Sequence, residues 1–178
     1  MKNIFAAIIL GIGLVSVSFA QGTAGRGQGT KTAVVEFTPG PGAAGMTEQA
    51  KFSLQTALAA SLNHTRKFDV YDTRHTKRTT QADLASINGT STAAAVRVGK
   101  QLGVAYVVTG TVTSYNTSGS AAVKFRVVEV ATGKVRHSGE IAQTATMKMN
   151  GNGSAVEMQS KVMKPLIEKV TESMAAAF

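Results

Sequence analysis

Val98-Gly99-Lys100-Gln101-Leu102-Gly103-Val104-Ala105-Tyr106-Val107-Val108-Thr109-Gly110-Thr111-Val112 is the stretch on which the fold turns. Its first half closes a helix. Thr92–Leu102 is rich in alanine, and Gly103 supplies the left-handed residue that ends such a helix. Its second half is β-rich, so Val104–Tyr115 reads as a long strand. Gly99 lets the helix sit close on a sheet, and Gly110 removes a side chain where the strand is crowded. A helix that passes through glycine straight into a strand is the repeating step of a body in which helices cover a sheet.

Downstream, Ser118-Gly119-Ser120 turns the chain, Val123–Val130 runs back, Thr132-Gly133 turns it again, and Val135–Met147 supplies a further strand. Three strands joined by short turns make an antiparallel meander. Upstream, Thr32–Phe37 is a short apolar run closed by Pro39 and Gly40, the form of a buried strand. Thr47 then caps a helix with Glu48 in its first turn, and Phe52, Leu54, Leu58 and Leu62 recur at roughly helical spacing to Asn63. Phe68–Asp72 gives a second short strand, polar Thr73–Gln81 leads to a brief helical piece at Ala82–Ile87, and Asn88-Gly89-Thr90-Ser91 breaks that piece and caps the next helix. At the end of the chain, Val156, Met163, Leu166, Ile167, Val170 and Met174 share one helical face, and Pro165 either kinks that helix or marks its start. The expected fold class is α/β (α+β), with one mixed sheet of about five strands in the order β-α-β-α-α-β-β-β-α.

The amino terminus sets the compartment. Lys2 is followed by an almost uninterrupted apolar run, Ile4–Val17, and Ser18-Phe19-Ala20 ends it with small residues where a signal peptidase reads. Met1–Ala20 is therefore expected to be a Sec signal peptide cleaved after Ala20, with Gln21–Thr30 a flexible Gly-rich leader and 31–178 one domain. Export excludes much of metabolism, because nucleotide cofactors are scarce beyond the inner membrane. The chain has no cysteine, so disulfides, thiolate metal sites and a lipid anchor on an N-terminal cysteine are all ruled out. Removing Met1–Ala20 from 178 residues leaves 158, enough for one ordinary core. The formal charge is +9, or +8 without Lys2, which favours acidic partners such as anionic lipid headgroups, lipopolysaccharide, cell-wall polymers or nucleic acid.

Two stretches offer candidate sites. Arg66, Lys67, Arg74, Lys77 and Arg78, with His64 and His75 among them, form the densest basic cluster, which reads as a partner-binding surface or a solvated loop. Nucleic acid is disfavoured there, since Phe68 and Tyr71 are strand residues and aromatics are not interleaved with the charges. Gly40-Pro41-Gly42-Ala43-Ala44-Gly45 matches GxGxxG between a strand and a helix, so Gly40, Gly42 and Gly45 are the alternative, a phosphate- or nucleotide-binding loop. Pro39 and Pro41 remove two amides from that loop, and Thr47 caps the helix after the last glycine, which favours a mobile surface loop instead. His64, His75 and His137 have no metal-ligand spacing, no nucleophile elbow occurs, and Asp69 and Asp72 read as a strand edge, so no catalytic residue, metal or cofactor is expected.

The stretch Val98–Val112 resembles the Gly-Lys-x-Leu-Gly-x-x-Tyr-Val-Val-x-Gly signature of envelope proteins related to the curli-secretion protein CsgG. Ala33–Phe37, Lys67–Asp72 and the hairpin Val127–Val135 agree with it in order, so that the resemblance covers roughly Lys31–Thr146. The chain is also similar to the penicillin-binding-protein activator LpoB and to the N-terminal domain of TolB. The resemblance implies a non-enzymatic accessory or assembly protein of the Gram-negative periplasm, one that binds an envelope protein or cell-wall polymer and often works as an oligomer. Two departures matter. There is no cysteine to acylate, and the links Asn116–Ser120 and Ala131–Lys134 are too short to carry strands of ~9–11 residues across a membrane and back, so a pore is not expected.

Overall fold

Two short strands laid end to end, β1 (Thr30–Val34) and β2 (Thr38–Gly42), run parallel to one side of the long strand β4 (Tyr106–Asn116). This is a computed structural model, and it describes residues 29–89, 91–146 and 154–178. On the far side of β1 lies β3 (Phe68–Val70), also parallel, and beyond β4 come β5 (Ser120–Glu129) and β6 (Val135–Thr144), each antiparallel to its neighbour. The sheet order is β3-β1-β4-β5-β6, with β2 pairing β4. Parallel strands early and an antiparallel meander late are as the sequence patterns require.

Helices cover both faces. Helix α1 (Glu48–His64) and the C-terminal helix bury Leu54, Leu58, Leu62, Leu166, Val170 and Met174 against Val34, Val108, Val112 and Phe125. On the opposite face, α3 (Leu84–Asn88) and α4 (Thr92–Leu102) bury Ile87, Ala94, Ala95 and Val98 against Ala33, Val35, Val107 and Val128. The alanines of α4 and Gly99 allow close approach, for a Cβ on Gly99 would stand 2.3 Å from Val130 Cγ2. Gly103 ends α4 at φ 65°, the left-handed conformation expected of it.

The expected element order needs correction in three places. Among the described residues there are six strands, not the expected five, because β1 ends at Val34 and Pro39 and Gly40 belong to a strand of their own. They form β2, which proline tolerates since that strand pairs on one side only. Thr73–Gln81 is not a plain connection: Thr73–Thr80 forms α2, started by the Asp72 carboxylate, which accepts from the His75 N–H at 2.7 Å. The C-terminal helix runs through Pro165 by way of a π-helical turn, Gln159–Met163, between α5 (Ala155–Met158) and α6 (Lys164–Ala176). Pro165 thus sits in the first turn of α6, where its missing N–H costs little. The extra residue of the π turn rotates the upstream face, so Val156 is 76% exposed while Met158 and Val162 are buried. Thr30, taken as leader, belongs to β1; Met1–Ala20, the leader up to Gln28 and Met147 lie outside the described residues.

Between β1 and β2 the chain leaves regular pairing at Val35-Glu36-Phe37, in the middle of the sheet and fully buried. Buried carbonyls need partners, and β3 has already ended. Two side chains supply them. Gln55 Nε2 of α1 donates to the Val34 carbonyl at 2.7 Å, and Asn88 Nδ2 at the end of α3 donates to the Glu36 carbonyl at 2.8 Å. The Asn88 Oδ1 accepts in turn from the Gly110 N–H at 3.0 Å and from Thr109 Oγ1 at 2.6 Å, so one amide bridges the gap between the interrupted strand and β4. The Phe37 ring then packs against Gly110, where a Cβ would come within 2.6 Å of Phe37 Cε2 and 2.4 Å of the Lys124 carbonyl.

Asn88→Ala is expected to lower unfolding free energy by about 2–4 kcal/mol, since it strands a buried carbonyl and a buried N–H together. Gly110→Ala is expected to cost at least as much through overpacking against backbone. Urea titration of both variants beside the parent chain measures this.

Candidate functional site

The structure divides the basic cluster. Arg66 and Lys67 precede β3 and Arg74, Lys77 and Arg78 follow it on α2, so the two groups stand at opposite ends of that strand, about 10 Å apart along it. Lys67 Nζ donates to the Ala175 carbonyl at 2.6 Å, a cation on the last turn of α6, where the helix dipole favours it. Arg66 is exposed and holds a left-handed backbone, φ 58°, just past the end of α1. Beside it, Phe178 packs edge-on against Phe68 and Tyr106, which fastens the chain's end to this side of the sheet.

On α2, Lys77 turns inward. Its Nζ lies 2.7 Å from Glu36 Oε2, and Lys51 Nζ lies 3.9 Å from Glu36 Oε1. Glu36 belongs to the interrupted strand and is 4% exposed, so this pair is the charge balance of the sheet's gap. Arg74 and Arg78 are one helical turn apart, both exposed, and form no ion pair among the described residues. Of the five basic residues singled out in the sequence, two are engaged with the fold and three, Arg66, Arg74 and Arg78, present free charge.

Gly40 and Gly42 are not in a mobile loop. Both lie in β2, where a Cβ on Gly42 would meet the Thr113 carbonyl at 2.5 Å and one on Gly40 the Val112 carbonyl at 3.2 Å. Their missing side chains let β2 close on β4. Gly45 follows in the turn before α1, and a Cβ there would meet nothing within 4 Å. Helix α1 starts where its sequence predicts, with Thr47 Oγ1 accepting from the Ala50 N–H at 3.2 Å.

The histidines are dispersed. His64 Nδ1–H donates to the Ala60 carbonyl at 2.7 Å, His75 stacks edge-on against Tyr71, and His137 Nε2 lies 3.0 Å from Ser173 Oγ. Among the described residues no cluster of three or more His, Cys, Asp or Glu is arranged to hold a metal, and no helix is long and apolar enough to cross a membrane.

Sequence reasoning missed one concave feature. A groove of about 1260 Å³ runs between α1 and the C-terminal helix, walled by Ala50, Ser53, Ala57 and Ala60 on one side and by Val156 and Lys164 on the other. The signal was the run of small residues on α1, on the face beside Leu54, Leu58 and Leu62. Tyr115 reaches the groove from the end of β4, and burial pushes its phenol above the usual value.

No family model and no curated protein matches the sequence. Solved structures are similar in fold. A PelC dodecamer from Paraburkholderia phytofirmans aligns at 20% identity over 83% of this chain and 89% of that one, with a TM-score of 0.51. The lipoprotein GNA1162 from Neisseria meningitidis aligns at 19% over 82% and 96%, with a TM-score of 0.55. The NMR structure of E. coli LpoB aligns at 13% over 80% and 83%, with a TM-score of 0.50. Likeness at such identities establishes a common fold, and LpoB is one of the proteins that the sequence resembles.

Lys77→Ala is expected to destabilise the chain by about 1–3 kcal/mol, because a buried carboxylate loses its nearest cation. Arg74→Ala and Arg78→Ala are expected to stay within about 0.5 kcal/mol of the parent. Chemical denaturation of the three variants separates the engaged cation from the free ones.

Proposed function

We propose that this chain is a non-enzymatic accessory or assembly protein of the Gram-negative envelope, working in the periplasm by binding an envelope protein or a cell-wall polymer. The observation that carries this reading is the fold held in common with PelC, GNA1162 and LpoB across at least four-fifths of each chain. A fold hosts many activities, so the site must agree with it. Gln55 Nε2, the Asn88 amide, Thr109 Oγ1 and the Glu36 carboxylate are engaged with the fold itself, and the free charge of Arg66, Arg74 and Arg78 is displayed outside. The contact surface in this reading is the outer face of α2, Arg74 and Arg78, which suits an acidic partner, and Arg66 extends the charge past the end of α1. Lys77 holds the framework behind that surface through Glu36, while Lys67, at the opposite end of β3, is bonded to the last turn of α6. Export as a Sec substrate cleaved after Ala20 belongs to the same proposal.

Fractionation and crosslinking test it together. The mature chain is expected in the periplasmic fraction with Gln21 as its first residue. A photo-crosslinking residue at His75 is expected to capture an envelope protein, or to link the chain to sacculi, and Arg74→Glu with Arg78→Glu should reduce that adduct at least about tenfold at equal protein level. A cytoplasmic location would overturn the proposal, and so would turnover of a nucleotide by the purified chain.

A further inference from the structure

The two edges of the sheet are built differently. On one side β3 has only three residues, and β2 carries Pro39 and Pro41, both devices that keep an edge from recruiting another strand. On the other side β6 runs for ten residues without a proline, and from His137 to Thr144 its pairing with β5 has no bulge. We propose that the outer edge of β6 is a self-association surface that pairs antiparallel with β6 of a second copy of this chain.

The hydrogen-bond pattern says which groups are on offer. The Glu129 N–H donates to the Lys134 carbonyl at 2.9 Å and the Ala145 N–H to the Gly119 carbonyl at 2.7 Å, so odd-numbered residues of β5 turn their backbone groups toward β6. In the observed register these are Ala121, Val123, Phe125 and Val127, opposite Gln143, Ile141, Gly139 and His137. Alternation then directs the N–H and C=O of Ser138, Glu140, Ala142 and Thr144 away from the sheet. One of those groups is already met internally, the Thr144 carbonyl accepting from Gln143 Nε2 at 2.9 Å. The side chains of these four residues are exposed on the face that α3 and α4 leave open, while His137 and Gln143 are tied to the C-terminal helix through Ser173 and Lys169.

The strand is self-complementary in one register. A two-fold axis at Glu140 would set two carboxylates directly opposite one another, which is unfavourable. Moving the axis to Ile141 keeps every outward-directed residue paired: Ser138 faces Thr144 of the second copy and Glu140 faces its Ala142. The two Ile141 side chains then meet on the axis, on the helix-covered face, as a non-hydrogen-bonded pair, in which side chains approach most closely. Ile141 is already packed against the core on its own side. The pairing joins two sheets into one continuous sheet at the edge opposite β3, whereas α2 packs near β1, so it stands apart from the contact surface proposed above.

Sedimentation equilibrium on the purified chain tests this. The parent is expected to form a dimer at about 100 µM, a concentration at which a Kd on the order of 10 µM leaves most chains paired. Ala142→Glu, on an exposed position, sets a second carboxylate against Glu140 at both symmetric contacts and should weaken the dimer about tenfold. Adding Glu140→Lys to that variant restores opposite charges and should recover the parent dimer to within about threefold. Ala142→Pro removes an outward N–H and should abolish pairing; should it fail to fold, the charge variants still decide. A parent chain that stays monomeric at that concentration would overturn the proposal, as would self-association, at any stoichiometry, that neither Ala142→Glu nor Ala142→Pro weakens.

Discussion

The structure depends on how a buried sheet tolerates a gap in its central strand. Where Val35-Glu36-Phe37 leaves regular pairing, the backbone is buried and β3 no longer reaches, so the Val34 and Glu36 carbonyls need side-chain partners or the sheet loses about 1–3 kcal/mol per orphan. The partners come from opposite layers: Gln55 descends from α1 on one face, and Asn88 rises from α3 on the other. The gap is therefore what locks the helical layers in register with the sheet. Hydrophobic burial alone holds layers together without fixing how they sit, whereas an amide that must reach one carbonyl allows little sliding.

The same gap places the charge. Glu36 lies where the strand breaks, and its carboxylate draws Lys77 inward from α2 and brings Lys51 near from α1. Once Lys77 faces the sheet, helical geometry dictates the rest of α2. Thr76 and Thr80 are buried, and Arg74 and Arg78 are carried to the opposite, solvent face. The arrangement of free cations outside is thus a consequence of a buried carboxylate inside. At the other end of β3, Lys67 is drawn to the carbonyl end of α6 by the same logic of local charge, leaving Arg66 as the exposed cation there.

Much of this was legible in the sequence, and the reasons for the rest are physical. Helix α4 spans Thr92–Leu102 as read, because its cap, its alanines and Gly103 all agree. The meander was legible because its turns are short and its strands long. Prolines misled in both directions. Pro39 and Pro41 mark a strand at an edge, which only the sheet order can reveal, and Pro165 is absorbed by a π turn whose extra residue displaced Val156 from the face assigned to it. Helix α2 escaped notice since it has no apolar stripe; its buried side is threonine and a paired lysine. Asn88 was read as a helix breaker, which its type permits, and nothing local distinguishes a breaker from a side chain that satisfies a carbonyl fifty-two residues away. The basic cluster was legible as a composition but not as a surface, because three residues of strand decide which end of the sheet each cation occupies.

Seen from the edges, framework and surface differ in how the backbone is protected. Gln55 and Asn88 close the gap at the centre, Asn63 Oδ1 accepts from the Val70 N–H at 2.7 Å where β3 ends, and prolines leave β2 with fewer donors to satisfy. Along β6 no comparable device occurs among the described residues except the Gln143 amide at Thr144. An edge that long costs nothing while solvated, yet it stays available to any strand that matches its alternation. What the described residues present to solvent is thus of three kinds: cations on α2, small side chains along the groove, and backbone along β6.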